Sequence, residues 1–213
     1  IIAYDVLRYN GKDIRSMPLT ERQAYIPETT HITKTPQHTF SHAEEAIQAM
    51  EKTKRRGVEG FMLKKKDSVY KAGRVKGSWW KWKHAPYTLD CVLMYAEKGR
   101  GRRAGKYTDY TFGVWKGNDI VPIARAYSGL TNNEIEELDS WIKNNTKNTF
   151  GPVKEVEPLK VVEIAFQSIA RKNTKKSGFS LRFPRIKRLR RDLTVEDADT
   201  VKDCETLFSE LQH

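Results

Sequence analysis

From residue 86 onward the chain reads as a series of short alternating apolar segments, each ended by a turn, and this pattern leaves little room for anything but a small antiparallel β-structure. Residues 88–95 and 107–115 flank a Gly/Arg-rich loop, Lys116-Gly117-Asn118-Asp119 turns the chain, and residues 120–127 supply a third strand. Thr131 with Glu134 forms a capping box, opening a helix that turns Ile135, Leu138, Trp141 and Ile142 to one side. Residues 161–166 and 179–183 bring the inventory to about five strands with one inserted helix. A last amphipathic helix lies near Val201, Cys204, Leu207, Phe208 and Leu211. That set fits a Greek-key β-barrel of the OB type.

The preceding part mixes helix and strand, so the expected class is α+β. Residues 1–7 (IIAYDVL) read as a strand with no cap and no leading turn, as though the chain began inside a domain, and we expect it to be a fragment. Asn10-Gly11 is a turn signal, and residues 16–26 read as a loop entering a short helix. Ser41 with Glu44 reads as a capping box for a second helix. Its apolar stripe is Ala43, Ala46, Ile47 and Met50, and Arg55, Arg56 and Gly57 are its stop. Residues 58–64 and 78–84 should be strands. Ala85-Pro86 breaks the second of these and places a domain boundary there, giving expected domains 1–85 and 86–213.

Charge narrows the partner. Lys and Arg outnumber Asp and Glu by 39 to 27 in 213 residues, a formal charge of +12, which favours a polyanion. The excess is concentrated in two runs. Arg171 to Arg191 contains ten basic residues and no acid, and Lys98 to Lys106 contains five more, again without an acid. Within these runs Lys98, Arg100, Arg102 and Arg103, and Arg171, Lys172, Lys175 and Lys176, are the candidate phosphate contacts, able to neutralise a backbone without reading sequence. No run of about 18 apolar residues is present, which excludes a membrane-spanning helix. Cys91 and Cys204 lack metal-ligand spacing and suit free thiols in a reducing cytoplasm.

The sharpest local feature is Trp79-Trp80-Lys81-Trp82-Lys83. Strand alternation puts Lys81 and Lys83 on one face and Trp80 and Trp82 on the other, so two ammonium groups point into one place, as a phosphate would require. The alternative is an edge strand with solvated lysines. Alternation also sets Glu59 on the face of Phe61 and Leu63, where a carboxylate needs a partner: a metal ion, a ribose hydroxyl or a lysine. Tyr4, alone, reads as a core aromatic.

Taken in order, these segments resemble the covalent nucleotidyltransferases, and within them the ATP-dependent DNA ligases. Ala3-Tyr4-Asp5-Val6-Leu7 with Asn10-Gly11 looks like the motif whose aromatic stacks on adenine, which implies that role for Tyr4. Pro18-Leu19-Thr20-Glu21-Arg22 is similar to the next motif, with Arg22 at its arginine. Val58 to Lys64 resembles the motif whose glutamate, here Glu59, helps hold the divalent metal. Trp80-Lys81-Trp82-Lys83 resembles the two-lysine motif at the α-phosphate. Ser180-Leu181-Arg182-Phe183-Pro184-Arg185 looks like the ligase signature that orients the pyrophosphate, implying Arg182 and Arg185 as nucleotide contacts. Arg190-Arg191-Asp192 is similar to the family's R-x-D-K ending, with Leu193 where the lysine is expected. The nucleophilic lysine of the family lies in K-x-D-G, which is absent from these residues; Lys65-Lys66-Asp67-Ser68 lacks the glycine and reads as a surface turn.

The resemblance implies a partial nucleotidyltransferase domain, an ATP-grasp-like antiparallel sheet with helices, followed by the OB-fold barrel. It also implies ATP as AMP donor, Mg²⁺, and nicked duplex DNA as the partner of the intact enzyme, sealed through enzyme-AMP and DNA-adenylate intermediates. Lys81, Lys83 and Arg182 would carry the catalysis. A monomer at the nucleoid in the bacterial cytoplasm is expected, and the branch most resembled is one often encoded beside a large helicase. RNA ligases and capping enzymes share the two-lysine strand and are the rival within the class; an OB-type nucleic-acid platform without turnover is the rival outside it.

Overall fold

A computed structural model describes residues 1–54 and 58–211, and the side chains of Lys54 and Arg102 are outside the described set. The chain divides into two compact units, Ile1–His84 and Ala85–His213. The expected helix stop at Arg55, Arg56 and Gly57 lies outside the described residues.

The first unit is made of short pieces. β1 (Ile2–Ala3) pairs in parallel with β4 (Thr33–Lys34), and β2 (Arg8–Tyr9) with β3 (Lys12–Asp13) in a hairpin. The hairpin turns on Asn10 and Gly11, both at positive φ (47° and 78°), the backbone that a two-residue type I′ loop demands. The strand expected over residues 1–7 is only two residues long, because Asp5 leaves the ladder: its carboxylate accepts the Val6 amide and the Arg22 guanidinium. A local carboxylate bond of this kind competes with strand pairing.

α1 (Leu19–Ala24) buries Leu19 and Arg22, and α2 (Ala43–Lys54) buries Met50. The start of α2 differs from the expected box: the Ser41 amide donates to Glu45 rather than Glu44. Helical residues begin only at Ala43, so the capping pattern is shifted along by one position. Ile47 is exposed, and Met50 carries the buried face.

β5 (Gly60–Lys64) and β6 (Trp79–Lys83) form an antiparallel pair in which Gly60, Met62 and Lys64 oppose Lys83, Lys81 and Trp79. Directly opposed residues share a face, so the lysines of β6 share theirs with Lys64, while Phe61 and Leu63 share the other with Trp82 and Trp80. Rings of His38, Phe40, Phe61 and Trp82 pack on that second face at centroid separations of 5.5–6.3 Å.

The second unit is a curled antiparallel sheet. β7 (Tyr87–Lys98) is its spine, taking β8 (Tyr107–Lys116) along one edge and, along the other, first β12 (Val161–Phe166) and then β11 (Val153–Val156). β9 (Asp119–Ala126) adds to β8, β10 (Thr146–Phe150) to β11 and β15 (Arg185–Arg190) to β12, making seven strands. A separate hairpin joins β13 (Ser168–Arg171) to β14 (Phe179–Arg182). The sheet is therefore richer than five strands, the additions being short or highly charged segments.

α3 (Asn132–Asn144) opens on the expected capping box of Thr131 and Glu134 and buries Ile135, Leu138 and Ile142. α4 (Val201–Glu210) buries Cys204 and packs Val201, Leu207 and Phe208 on the same core as Phe112, Ile164 and Phe179. Both cysteines are free and buried; burial pushes the Cys91 thiol well up and the Cys204 thiol to about 12. Gly129, at φ 116°, lets the chain pass Ile186, whose carbonyl oxygen would lie 1.8 Å from any Cβ there. None of the described helices is long and apolar enough to cross a membrane.

Candidate functional site

The β5–β6 pair sets the site in the first unit. Lys81 and Lys83 stand on one face, both exposed, and Lys83 is ion-paired to Glu59. The Glu59 carbonyl oxygen accepts the His84 amide at 3.4 Å, and the Glu59 carboxylate meets the Lys83 ammonium. Glu59 precedes the strand, and Gly60 after it has φ 143°. Only glycine fits there: a Cβ at Gly60 would lie 2.1 Å from the Trp82 carbonyl oxygen.

Tyr4 is 56% exposed at the mouth of an open pocket of about 180 Å³, lined by Ile2, Ala3, Asp5, Leu7 and Tyr70 as well. Arg22 is fully buried. Its guanidinium grips Asp5 through two bonds of 3.0 and 2.8 Å, and donates to the carbonyl oxygens of Met17 and Ser68. A side chain so enclosed and so fully engaged holds the protein together rather than meeting a ligand. The Lys65–Ser68 string is a turn, closed by the Ser68 amide on the Lys65 carbonyl at 3.1 Å, although Ser68 itself is buried.

Lys64 closes the Val58–Lys64 motif, in which the resemblance gives a role to Glu59 alone. Its ammonium lies 4.4 Å from the centroid of the Tyr4 ring and 4.2 Å from that of Trp79. Burial lowers its pKa, partly offset by Asp5. The alternation of β5 was the available signal, since it places Lys64 on the same face as Lys81 and Lys83.

In the second unit Arg182 and Arg185 are exposed at either end of the β14–β15 connection, and neither makes an ion pair among the described residues. Phe183 between them has φ 51°, a left-handed conformation costly for a residue that also precedes proline. Its ring is 68% exposed, with the Arg182 guanidinium 5.2 Å from its centroid.

The basic runs separate into engaged and available groups. Lys98, Arg100 and Arg103 are exposed around a short 3₁₀ turn, Gly101–Arg103, while the Arg102 side chain is outside the described residues. Lys172 and Lys176 are exposed. Arg171 is engaged by α4: its guanidinium lies over Phe179 and Phe208 at 5.3 and 5.2 Å, with Glu205 at 4.0 Å. Lys175 donates to the Ile123 carbonyl at 3.3 Å, and burial lowers its pKa.

The family described as "ATP dependent DNA ligase domain" matches residues 1–83, and "ATP dependent DNA ligase C terminal region" matches residues 103–193. A probable DNA ligase of Koribacter versatilis is 40% identical over 85% of this chain, and a DNA ligase of Thermococcus fumicolans 32% identical over 96%. The chain spans 32% and 38% of the length of these two relatives, about a third. A solved Lig E DNA ligase matches at a TM-score of 0.61 and 17% identity, covering 89% of this chain and 62% of that one, a likeness of fold. Two ligase matches in the order of the two units, joined by relatives that run across both, carry one conclusion: the chain belongs to the ATP-dependent DNA ligase family.

Proposed function

We propose that the intact protein seals nicks in duplex DNA, with ATP as AMP donor, and that this chain supplies its phosphate clamp and its nucleic-acid surface. The observation that carries this reading is the single face bearing Lys81 and Lys83, with Glu59 ion-paired to Lys83, in a chain whose matches are DNA ligases along both units. In-line displacement at phosphorus asks a protein for positioning and charge neutralisation, and two ammonium groups on a strand provide both. Tyr4 offers an exposed ring beside a pocket and stacks on the base; Arg22 acts behind it, by fixing Asp5.

No cluster of three or more His, Cys, Asp or Glu that could hold a metal occurs among the described residues. Mg²⁺ commonly takes one or two carboxylates together with substrate phosphates, and a lone Glu59 fits that use. Glu59 would then exchange Lys83 for the ion, leaving Lys83 to the α-phosphate. Arg182 and Arg185 meet the pyrophosphate leaving group. Lys98, Arg100, Arg103, Lys172 and Lys176 contact DNA phosphates. The protein acts as a monomer at the bacterial nucleoid, with a functional link to a helicase, as the branch it resembles implies.

The test is Lys83→Ala in the intact enzyme, which should lower nick sealing by on the order of 10²–10³. Wild-type turnover would remove Lys83 from the site. Sealing of nicked RNA in preference to nicked DNA would move the protein to the rival substrate class.

A further inference from the structure

Six residues of the first unit close a ring of contacts. Tyr4 is followed in sequence by Asp5, and Asp5 is held by buried Arg22. The Arg22 guanidinium lies 6.0 Å from the Tyr70 ring centroid, Tyr70 meets Trp79 edge-on at 5.7 Å, and Lys64 bridges Trp79 back to Tyr4. Every link but one joins groups whose place is set elsewhere. Arg22 is locked by carbonyl and carboxylate oxygens, and the Trp79 indole donates to the Ser68 hydroxyl at 3.4 Å. Tyr4 is the exposed member, and the last contact in the ring that restrains its side chain is the Lys64 ammonium.

We propose that Lys64 is a positioning residue for the nucleobase: seated between Trp79 and Tyr4, its ammonium fixes the Tyr4 ring so that the ring's open side is presented to a purine. This rests on the assignment of Tyr4 as the base-stacking aromatic. A cation over an aromatic face is attracted by the ring's quadrupole, and more strongly when partly desolvated. Burial of Lys64 beside Asp5 is the environment in which that attraction counts. The ring then loses little freedom on binding, which is where a preorganised site gains affinity.

A positioning role through the base differs from a phosphate contact in what the ligand must contain. In the intact ligase, Lys64→Met keeps the stem and removes the charge. It should weaken adenosine, titrated by NMR, and a non-hydrolysable ATP analogue, measured by calorimetry, by the same factor, about five- to ten-fold. Lys64→Arg should restore both to within about two-fold, since a guanidinium also stacks on rings. At saturating ATP the kcat of Lys64→Met should match wild type while the KM for ATP rises. Loss confined to the ATP analogue would make Lys64 a phosphate ligand and overturn the proposal, as would a lowered kcat with unchanged affinity.

Tyr4→Ala separates the two levels. If it weakens adenosine while Lys64→Met does not, the stacking assignment stands and the role of Lys64 fails. If Tyr4→Ala leaves adenosine affinity unchanged, the assignment itself falls and takes the proposal with it. Should Lys64→Met lower the melting temperature, Trp79→Leu tests the same link from the far ring, and unchanged adenosine affinity in that variant would overturn the proposal.

Discussion

The two units differ in what they enclose most completely. In Ala85–His213 the largest fully buried side chains are apolar or aromatic, Phe112, Phe166, Phe179, Tyr110 and Leu93 among them, and one continuous core runs from the sheet to α4. Among the described residues of Ile1–His84 the largest fully buried side chain is an arginine, while Ile1, Ile2, Tyr4, Leu7, Met62, Leu63 and Trp80 are exposed. The second unit buries what hydrophobic burial rewards. The first spends a charge pair on its interior and leaves apolar surface around its site. A framework built on directional bonds holds side chains at fixed angles, which suits a clamp for charged oxygens; a broad apolar core suits a platform.

The largest expected effects break each framework in its own currency. Phe112→Ala should cost the second unit about 3–5 kcal/mol through a cavity in its core. Asp5→Asn should cost the first unit a similar 3–5 kcal/mol by leaving the Arg22 charge buried without its carboxylate. Denaturant unfolding followed by hydrogen exchange assigns each loss to residues. If Asp5→Asn is silent, or if Phe112→Ala destabilises both units equally, the contrast between them fails. An Asp5→Leu, Arg22→Met double variant sharpens it: replacing a buried pair by apolar side chains is often close to neutral, so recovery of most of the loss is expected.

What the sequence made legible follows the same line. The capping box at Thr131, the strand Val161–Phe166 and the face of α3 could be read because each has a local signal that the fold obeys. β15 was missed because Arg185–Arg190 reads as a charge run; its strand character lies in buried Ile186 and in the acid it meets on β12. β10 was missed because Thr146–Phe150 is almost entirely exposed and lacks alternation. At the site, Lys81 and Lys83 follow from period two. The burial of Arg22 and the seating of Lys64 depend on partners 17 and 60 residues away, Asp5 and Tyr4, and no window of sequence contains both ends.

An intermediate effect tests how the basic runs divide. Lys172→Ala and Lys176→Ala should each reduce the slope of log affinity for duplex DNA against log salt by about 1, with little change in melting. Arg171→Ala should do the reverse, destabilising the docking of α4 by about 1–2 kcal/mol through loss of two ring contacts, with the salt slope nearly unchanged. A full drop in slope for Arg171→Ala would return it to the DNA surface.

The smallest effect concerns a place where the second unit imitates the first, a nearly buried acid on its sheet. Glu163 is 8% exposed at the side chain, between the Lys187 ammonium at 2.8 Å and the Arg188 guanidinium at 2.6 Å. Burial pushes its carboxyl up, but the bonds from Lys187 and Arg188 outweigh that and bring it down to about 2, from an ordinary 4.5. A carboxyl whose folded pKa is depressed stabilises fully above its unfolded value and loses that contribution as pH falls through the folded one. The window is therefore between about 4.5 and 2. Unlike Arg22, the two cations are themselves half exposed, at 49% and 57%, so solvent weakens the attraction and the expected worth is about 1 kcal/mol. Glu163→Gln should cost that much near neutrality and flatten the loss of stability across the window, measured as urea midpoints of the second unit at successive pH values. Parallel curves for wild type and Glu163→Gln down to pH 2 would mean that the carboxylate is not held by its cations. Asp139, 7% exposed and paired with Lys143 at 2.6 Å, would then be the second unit's nearer counterpart of the buried Asp5.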